Sequence, residues 1–131
     1  MGLANILIAD DEHEVREFLK KLLLKKIHCA IELAVDGAQV MEKIRGGTFD
    51  LLLLDVKMPG LSGLDVIKEV RKLSPKTKII VITAYDSQDV SDHALEAGVS
   101  DYILKSYVKE EIEAKIKKIL STMTKISVKA Q

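Results

Sequence analysis

The chain has one cysteine, no excess charge of either sign and no long apolar run, and each absence removes a class of protein. A single thiol, Cys29, cannot close an internal disulfide, and without neighbouring thiols it makes neither a redox pair nor a zinc site. It reads as a small core or near-surface residue. Lysine plus arginine equals aspartate plus glutamate at 20 each, so net charge gives no argument for binding nucleic acid. No apolar run reaches the length needed to cross a bilayer, which excludes membrane insertion. The opening MGLANILIAD lacks a basic region before its apolar stretch and a small-residue cleavage pattern, so it reads as a first strand in a cytoplasmic protein. His13, His28 and His93 lack metal-ligand spacing and read as surface or packing residues. There is no internal repeat and no low-complexity block.

What is present is a globular composition, 47% hydrophobic and 31% charged, in 131 residues, enough for one core and short for two. Short apolar runs alternate with longer amphipathic segments, the pattern of strand-helix units around a mostly parallel sheet. Strands are predicted over Ile6 to Ala9, Ala30 to Val35, Leu51 to Asp55, Lys78 to Thr83 and Asp101 to Leu104. The third and fourth are almost wholly apolar, as strands covered on both faces should be. Helix one is predicted from Glu12 to Lys26, with Val15, Phe18, Leu19 and Leu22 on one stripe. Of the run Leu22-Leu23-Leu24, one leucine should end exposed. Helix two follows Asp36-Gly37 and ends before Gly46-Gly47. Helix three begins at Ser62, whose spacing to Asp65 resembles a capping box, and Pro75 closes the segment after it. Helix four runs from Asp86 or Ser87 to Gly98, and helix five from Val108 to Ser121 with Glu111/Lys115 and Glu113/Lys117 pairs. Residues 1–121 form the domain, and Thr122 to Gln131 is a tail or the start of a linker.

The residue that demands explanation is Asp55, which follows four leucines in LLLLDVKMPG. A carboxylate at the mouth of a buried strand is unfavourable unless something compensates it. In an open parallel sheet the chemistry lies outside the carboxyl ends of the strands. There the first strand ends in Asp10-Asp11-Glu12, the third in Asp55 and the fourth in Thr83, and Lys105 follows the fifth. Three carboxylates in one cleft repel each other and are driven toward protonation. A hard divalent cation relieves this, and oxygen ligands with few protein contacts suit Mg²⁺. Asp55 is thus expected to be offset by a metal shared with the acidic pair and by the Lys105 ammonium.

Asp10 and Asp11 in IADDE, Asp55 in LLLLDVKMPGLSG, Thr83 in VITAY and Lys105 in DYILKS stand in order, each at the end of a predicted strand. On these residues the chain resembles the receiver domain of two-component response regulators over nearly its whole length. The resemblance implies a flavodoxin-like doubly wound fold, five parallel strands in the order 2-1-3-4-5 with five helices. It implies that Asp55 accepts a phosphoryl group from a phosphohistidine of a sensor histidine kinase or histidine phosphotransfer protein. Asp10, Asp11 and Asp55 with the backbone carbonyl of Lys57 would hold Mg²⁺, and Thr83 and Lys105 would bind phosphoryl oxygens. Thr83 and Tyr102, three residues before the lysine, would form the switch that reports phosphorylation to the face of helix four, strand five and helix five. That face would meet a downstream effector, a fused output domain or a second copy in a phosphorylation-dependent dimer. Lys57 and Tyr85 occupy positions that in this family tune loss of the phosphate. Receivers usually carry proline after the lysine, where this chain has Ser106; a cis bond there would cost about 2.5 to 4 kcal/mol.

Each assignment has a plainer rival. Asp11 can cap helix one with Glu14 completing the motif, Asp55 can be an ordinary strand-end carboxylate, and Thr83 is a β-branched residue at a strand end. Lys105 can lie at the surface, and Tyr102 can be a half-buried packing aromatic. A flavin binder of the same architecture would need a phosphate cradle rich in Gly, Ser or Thr, where this chain has Asp-Asp-Glu. A small Mg²⁺-dependent aspartyl-phosphate phosphohydrolase is the second functional reading, although no separate acid-base residue or cap domain is visible.

Overall fold

The computed structural model describes residues 3–60, 62–105, 109–123, 126, 128 and 129. Five strand-helix units run in order: β1 (Ala4–Ala9), α1 (His13–Lys26), β2 (Cys29–Ala34), α2 (Gly37–Gly46), β3 (Leu51–Leu54), α3 (Gly63–Leu73), β4 (Lys78–Thr83), α4 (Gln88–Glu96), β5 (Asp101–Leu104) and α5 (Lys109–Leu120). All strand pairs are parallel, in the order β2-β1-β3-β4-β5. Chain order reverses at β1 and β3, so the crevice between their carboxyl ends is the place for a site.

Alternation along the strands builds two cores. On one face Ile6, Ile8, Leu51, Leu53, Ile80 and Ile82 meet Leu19, Leu22 and Leu23 of α1 and Ile112, Ile116 and Leu120 of α5. On the other, Leu7, Leu52, Leu54, Ile79 and Val81 meet apolar residues of α2, α3 and α4. This two-sided cover explains why β3 reads LLLL with every residue buried. Leu24, 37% exposed, is the member of its leucine run left outside.

The helix ends refine the sequence reading. Asp36 and Ser87 cap α2 and α4 through their side chains, accepting from the amides of Gln39 and Val90. Ser62 precedes α3 with no side-chain cap bond, so the Ser62/Asp65 capping box does not form. Asp11 does not cap α1 either; the residue at that position is Glu12, again without a side-chain bond. Gly98 supplies the left-handed turn after α4 with φ of 98°. Glu113 and Lys117 approach to 3.6 Å. The start of α5 at Val108 and the bond to Ser106 lie outside the described residues. Within the tail, Met123 and Ile126 pack on the α1/α5 core and Val128 forms an antiparallel bridge with Ile27, so these residues stay on the body of the domain.

Gly63 ties the fold to the site. A Cβ there would lie 2.3 Å from Val56 Cα and 2.6 Å from Val56 O, so only glycine lets α3 approach the loop that begins at Asp55. Because the clash is with backbone, no side-chain rotation relieves it. Gly63→Ala is expected to lower stability by about 2 kcal/mol, read as a lower denaturant midpoint at unchanged slope.

Candidate functional site

The sheet delivers two buried carboxylates side by side. The amide of Asp55 donates to the Ala9 carbonyl at 2.9 Å, and that of Asp10 to the Ala34 carbonyl at 3.1 Å, extending the ladder one step past each strand. Asp10 is 1% exposed and Asp55 4%. Each divides its two oxygens the same way. Asp10 Oδ1 accepts from the Glu12 amide at 2.8 Å and Asp55 Oδ1 from the Lys57 amide at 2.9 Å, fixing the loop that follows. The Oδ2 atoms of both face the Lys105 ammonium, each at 2.9 Å.

Lys105 reaches this point because its own amide donates to the Thr83 carbonyl at 2.8 Å, continuing the β4-β5 ladder. Its third close partner is Glu12 Oε1 at 2.8 Å. Burial by itself would lower the lysine's pKa, but hydrogen bonds to Asp55, Glu12 and Asp10 outweigh it and hold the ammonium well above its ordinary range. For Asp10 the balance runs the other way. Burial pushes its carboxyl up, against the opposing pull of the Glu12 amide and of Lys105.

Thr83 is fully buried, with its hydroxyl accepting from the Tyr85 amide at 3.2 Å. Tyr102 is half-buried on the α2/α3/α4 core, and its hydroxyl donates to the Tyr85 carbonyl at 2.7 Å. Burial, then Asp55, Tyr85 and Asp86, raise its phenol pKa. The Tyr85 ring, 41% exposed, lies under the Lys57 ammonium at 4.8 Å, joining the loops after β3 and β4. His13, His28 and His93 are exposed and take no part.

The structure therefore brings together Asp10, Asp55, Thr83 and Lys105, with exposed Asp11 at the rim and Lys57, Tyr85 and Tyr102 on one side. Two features had no sequence assignment. Glu12 is a direct partner of Lys105, signalled only by its place in the acidic run Asp-Asp-Glu. The Lys57-Tyr85 contact joins residues 28 positions apart that the sequence reading treats separately.

Asp10, Asp11, Glu12 and Asp55 each present a carboxylate oxygen within 4.8 Å of the others. Ligands about 2.1 Å from an octahedral ion stand roughly 3 to 4 Å apart, so small side-chain adjustments suffice for an all-oxygen site for Mg²⁺. The donor set fits a hard cation, and the present neutralisation by one lysine shows that positive charge is what the cluster takes. No helix among the described residues is long and apolar enough to cross a membrane.

This is an acidic, lysine-neutralised site at the carboxyl edge of a doubly wound α/β domain, a class that comparison with known proteins defines further. The sequence profile of the response regulator receiver domain matches residues 6–117. The response regulator MprA of Mycobacterium ulcerans (strain Agy99) is 38% identical over 115 residues, covering 88% of this chain and 49% of that protein. A receiver domain protein (CheY-like) from Methanospirillum hungatei JF-1 superposes with a TM-score of 0.82 at 31% identity, covering 92% of this chain and 96% of that one. A two-component response regulator of the LuxR family from Aurantimonas sp. SI85-9A1 gives 0.80 at 27% identity, covering 92% and 87%. The chain belongs to the response regulator receiver domain family, the regulatory domains of phosphorylation-dependent two-component signalling. It spans about half the length of the curated relatives it matches.

The raised Asp10 pKa sets a sign for stability. A carboxyl raised in the fold favours the native state below its ordinary value of 3.8, and that contribution is lost as pH rises through the raised value. In the presence of a chelator, Asp10→Asn is expected to stabilise the protein near neutral pH by of the order of 1 kcal/mol and to flatten this acid-side decline. Thermal unfolding across pH checks both.

Proposed function

We propose that Asp55 is the phosphoacceptor of a two-component signalling switch, taking its phosphoryl group from a phosphohistidine of a sensor kinase or phosphotransfer protein. The observation that carries this reading is the buried Asp55 carboxylate. Its Oδ1 is fixed by the Lys57 amide and its Oδ2 faces Lys105, beside a cluster of acidic oxygens that fits a divalent cation. In the transfer, an Asp55 oxygen forms a bond to phosphorus as the bond to the donor imidazole nitrogen breaks. That nitrogen keeps the electron pair. Such a loose transition state asks for in-line placement and neutralised charge rather than acid-base catalysis. Mg²⁺, when bound by Asp10, Asp11, Asp55 and the Lys57 carbonyl, supplies neutralisation of the phosphoryl oxygens. Lys105, already 2.9 Å from Asp55, transfers its contact from the carboxylate to a phosphoryl oxygen. The Thr83 hydroxyl supplies another donor from the end of β4.

The same geometry gives a route outward. Thr83 engages the Tyr85 amide, and Tyr102 engages the Tyr85 carbonyl, so a hydroxyl drawn toward a phosphoryl group alters the segment that holds the tyrosine. The outcome is a population shift at the face of α4, β5 and α5, biased by the new contacts. That face meets an effector, an output domain or a second copy. Residues 1–121 act as the receiver in the cytoplasm, and residues 122–131 are a tail or the start of a linker. The domain regulates rather than turns over substrate, and hydrolysis of its own phosphoaspartate is the limit of its catalysis. A general phosphohydrolase is the weaker reading: the carboxylates near Asp55 face Lys105 or the cation cluster, which leaves none of them assigned to protonate a leaving group.

Incubation with Mg²⁺ and acetyl phosphate, followed by intact mass, tests the assignment. One phosphoryl adduct is expected, requiring Mg²⁺ and absent in Asp55→Asn; an adduct that persists in that variant, or none from acetyl phosphate or any phosphohistidine donor, would contradict it. The Lys57 ammonium lies over the Tyr85 ring, joining the loops that follow Asp55 and Thr83, and in this reading the ring screens the phosphoryl group from water. Tyr85→Ala is therefore expected to lose phosphate severalfold faster than the parent, followed by decay of the same adduct.

A further inference from the structure

At the far end of the domain from Asp55, the ends of α1 and α5 and the tail enclose a cavity of about 710 Å³. That is within the range of small-ligand sites, roughly 300 to 1,000 Å³. Its floor is apolar: Ile27 and Leu120 are buried members of the α1/α5 core. Its lining includes four lysines, Lys25, Lys26, Lys117 and Lys129. The tail closes one side. Val128 pairs with Ile27, the Lys129 amide donates to the Lys26 carbonyl at 2.8 Å, and the Lys129 ammonium donates to the Leu24 carbonyl.

Lysines at helix ends have an ordinary explanation, since they offset the negative pole of the helix. The charges here exceed that need. The ends of α1 and α5 each present the equivalent of about half a negative charge, and among the described residues the carboxylate paired with these lysines is Glu113, 3.5 Å from Lys26 and 3.6 Å from Lys117. Four lysines against these leave about two positive charges at this end of the domain, beside an apolar-floored space. Lys25 has no ion-pair partner among the described residues.

We infer that this cavity is a binding site for a small amphiphilic dianion, a phosphomonoester carrying an aliphatic body. The headgroup, which carries about −1.5 to −2 charge at neutral pH, matches the excess; the aliphatic part covers Ile27, Leu120 and the exposed side chain of Val128. A free phosphomonoester and a phosphatidate headgroup in a bilayer share this chemistry. The inference stands apart from the reading of Asp55.

The test is a titration of the full chain, without Mg²⁺, by octyl phosphate below its micellar concentration, followed by amide chemical shifts. Saturable binding with shifts at Ile27, Leu120 and Lys129 is expected, with inorganic phosphate weaker by about tenfold or more because it covers no apolar surface. The Lys25→Gln/Lys117→Gln double variant should weaken octyl phosphate binding by about tenfold or more through loss of two charge-assisted contacts. Val128→Glu, an exposed change that puts a negative charge at the mouth, should abolish it. Cosedimentation with phosphatidate-containing vesicles but not with phosphatidylcholine vesicles would assign the source to a membrane; binding of octyl phosphate without vesicle binding would assign it to a free phosphomonoester. No saturable binding, binding unchanged in both variants, or shifts confined to Asp10, Glu12 and Asp55 would overturn the inference.

Discussion

Two carboxylates at the ends of adjacent parallel strands, both almost wholly buried, are tolerable in this fold because one ammonium reaches both. Lys105 stands 2.9 Å from Asp10 and from Asp55 and 2.8 Å from Glu12, so each proton of the ammonium has an acidic oxygen to face. Removing the lysine from such a buried cluster would leave two carboxylates uncompensated, which is far more costly than the contacts are stabilising. The arrangement is therefore a constraint on everything around it. The β4-β5 register must deliver Lys105 beside Thr83, α3 must close tightly over Val56, and the loops after β1 and β3 must each turn so that one carboxylate oxygen caps the next amides.

The same constraint makes the site responsive. One lysine cannot match three acidic partners and exposed Asp11, so the cluster retains negative charge that a divalent cation would satisfy. In the proposed function, a phosphoryl group on Asp55 would compete for the same lysine and for the buried Thr83 hydroxyl. Thr83, Tyr85 and Tyr102 are already linked by hydrogen bonds through the Tyr85 backbone. A local change of charge therefore meets a connected element rather than a loose loop, the condition for a two-state readout.

Much of this was legible in the sequence because it rests on short-range pattern. The apolar run at Leu51–Leu54 could only be a strand covered on both faces, and the acidic and hydroxyl residues following such runs had to converge on one edge. The comparisons bear out the family and the fold order that the resemblance implied. Local capping was less legible. Ser62 and Asp11 had the right neighbours, yet neither caps: Ser62 makes no side-chain bond to the first turn of α3, and the capping position of α1 falls one residue later, on Glu12. The role of Glu12 and the Lys57-Tyr85 contact were hidden for a different reason: both depend on where side chains from separate loops meet, 93 and 28 residues apart in sequence. The tail showed no strand or helix period, and among the described residues its hold on the body comes from the bridge at Ile27, the Lys129 hydrogen bonds to the Lys26 and Leu24 carbonyls and the side chains of Met123 and Ile126.

The most direct measurement of the central claim is a Mg²⁺ titration of the parent and of Asp11→Asn, followed by amide chemical shifts and calorimetry. The account predicts one saturable site whose shifts centre on Asp10 to Glu12, Asp55 to Lys57, Thr83 and Lys105, with affinity clearly weakened in the variant. Absence of saturable binding, or shifts centred away from this edge of the sheet, would contradict it.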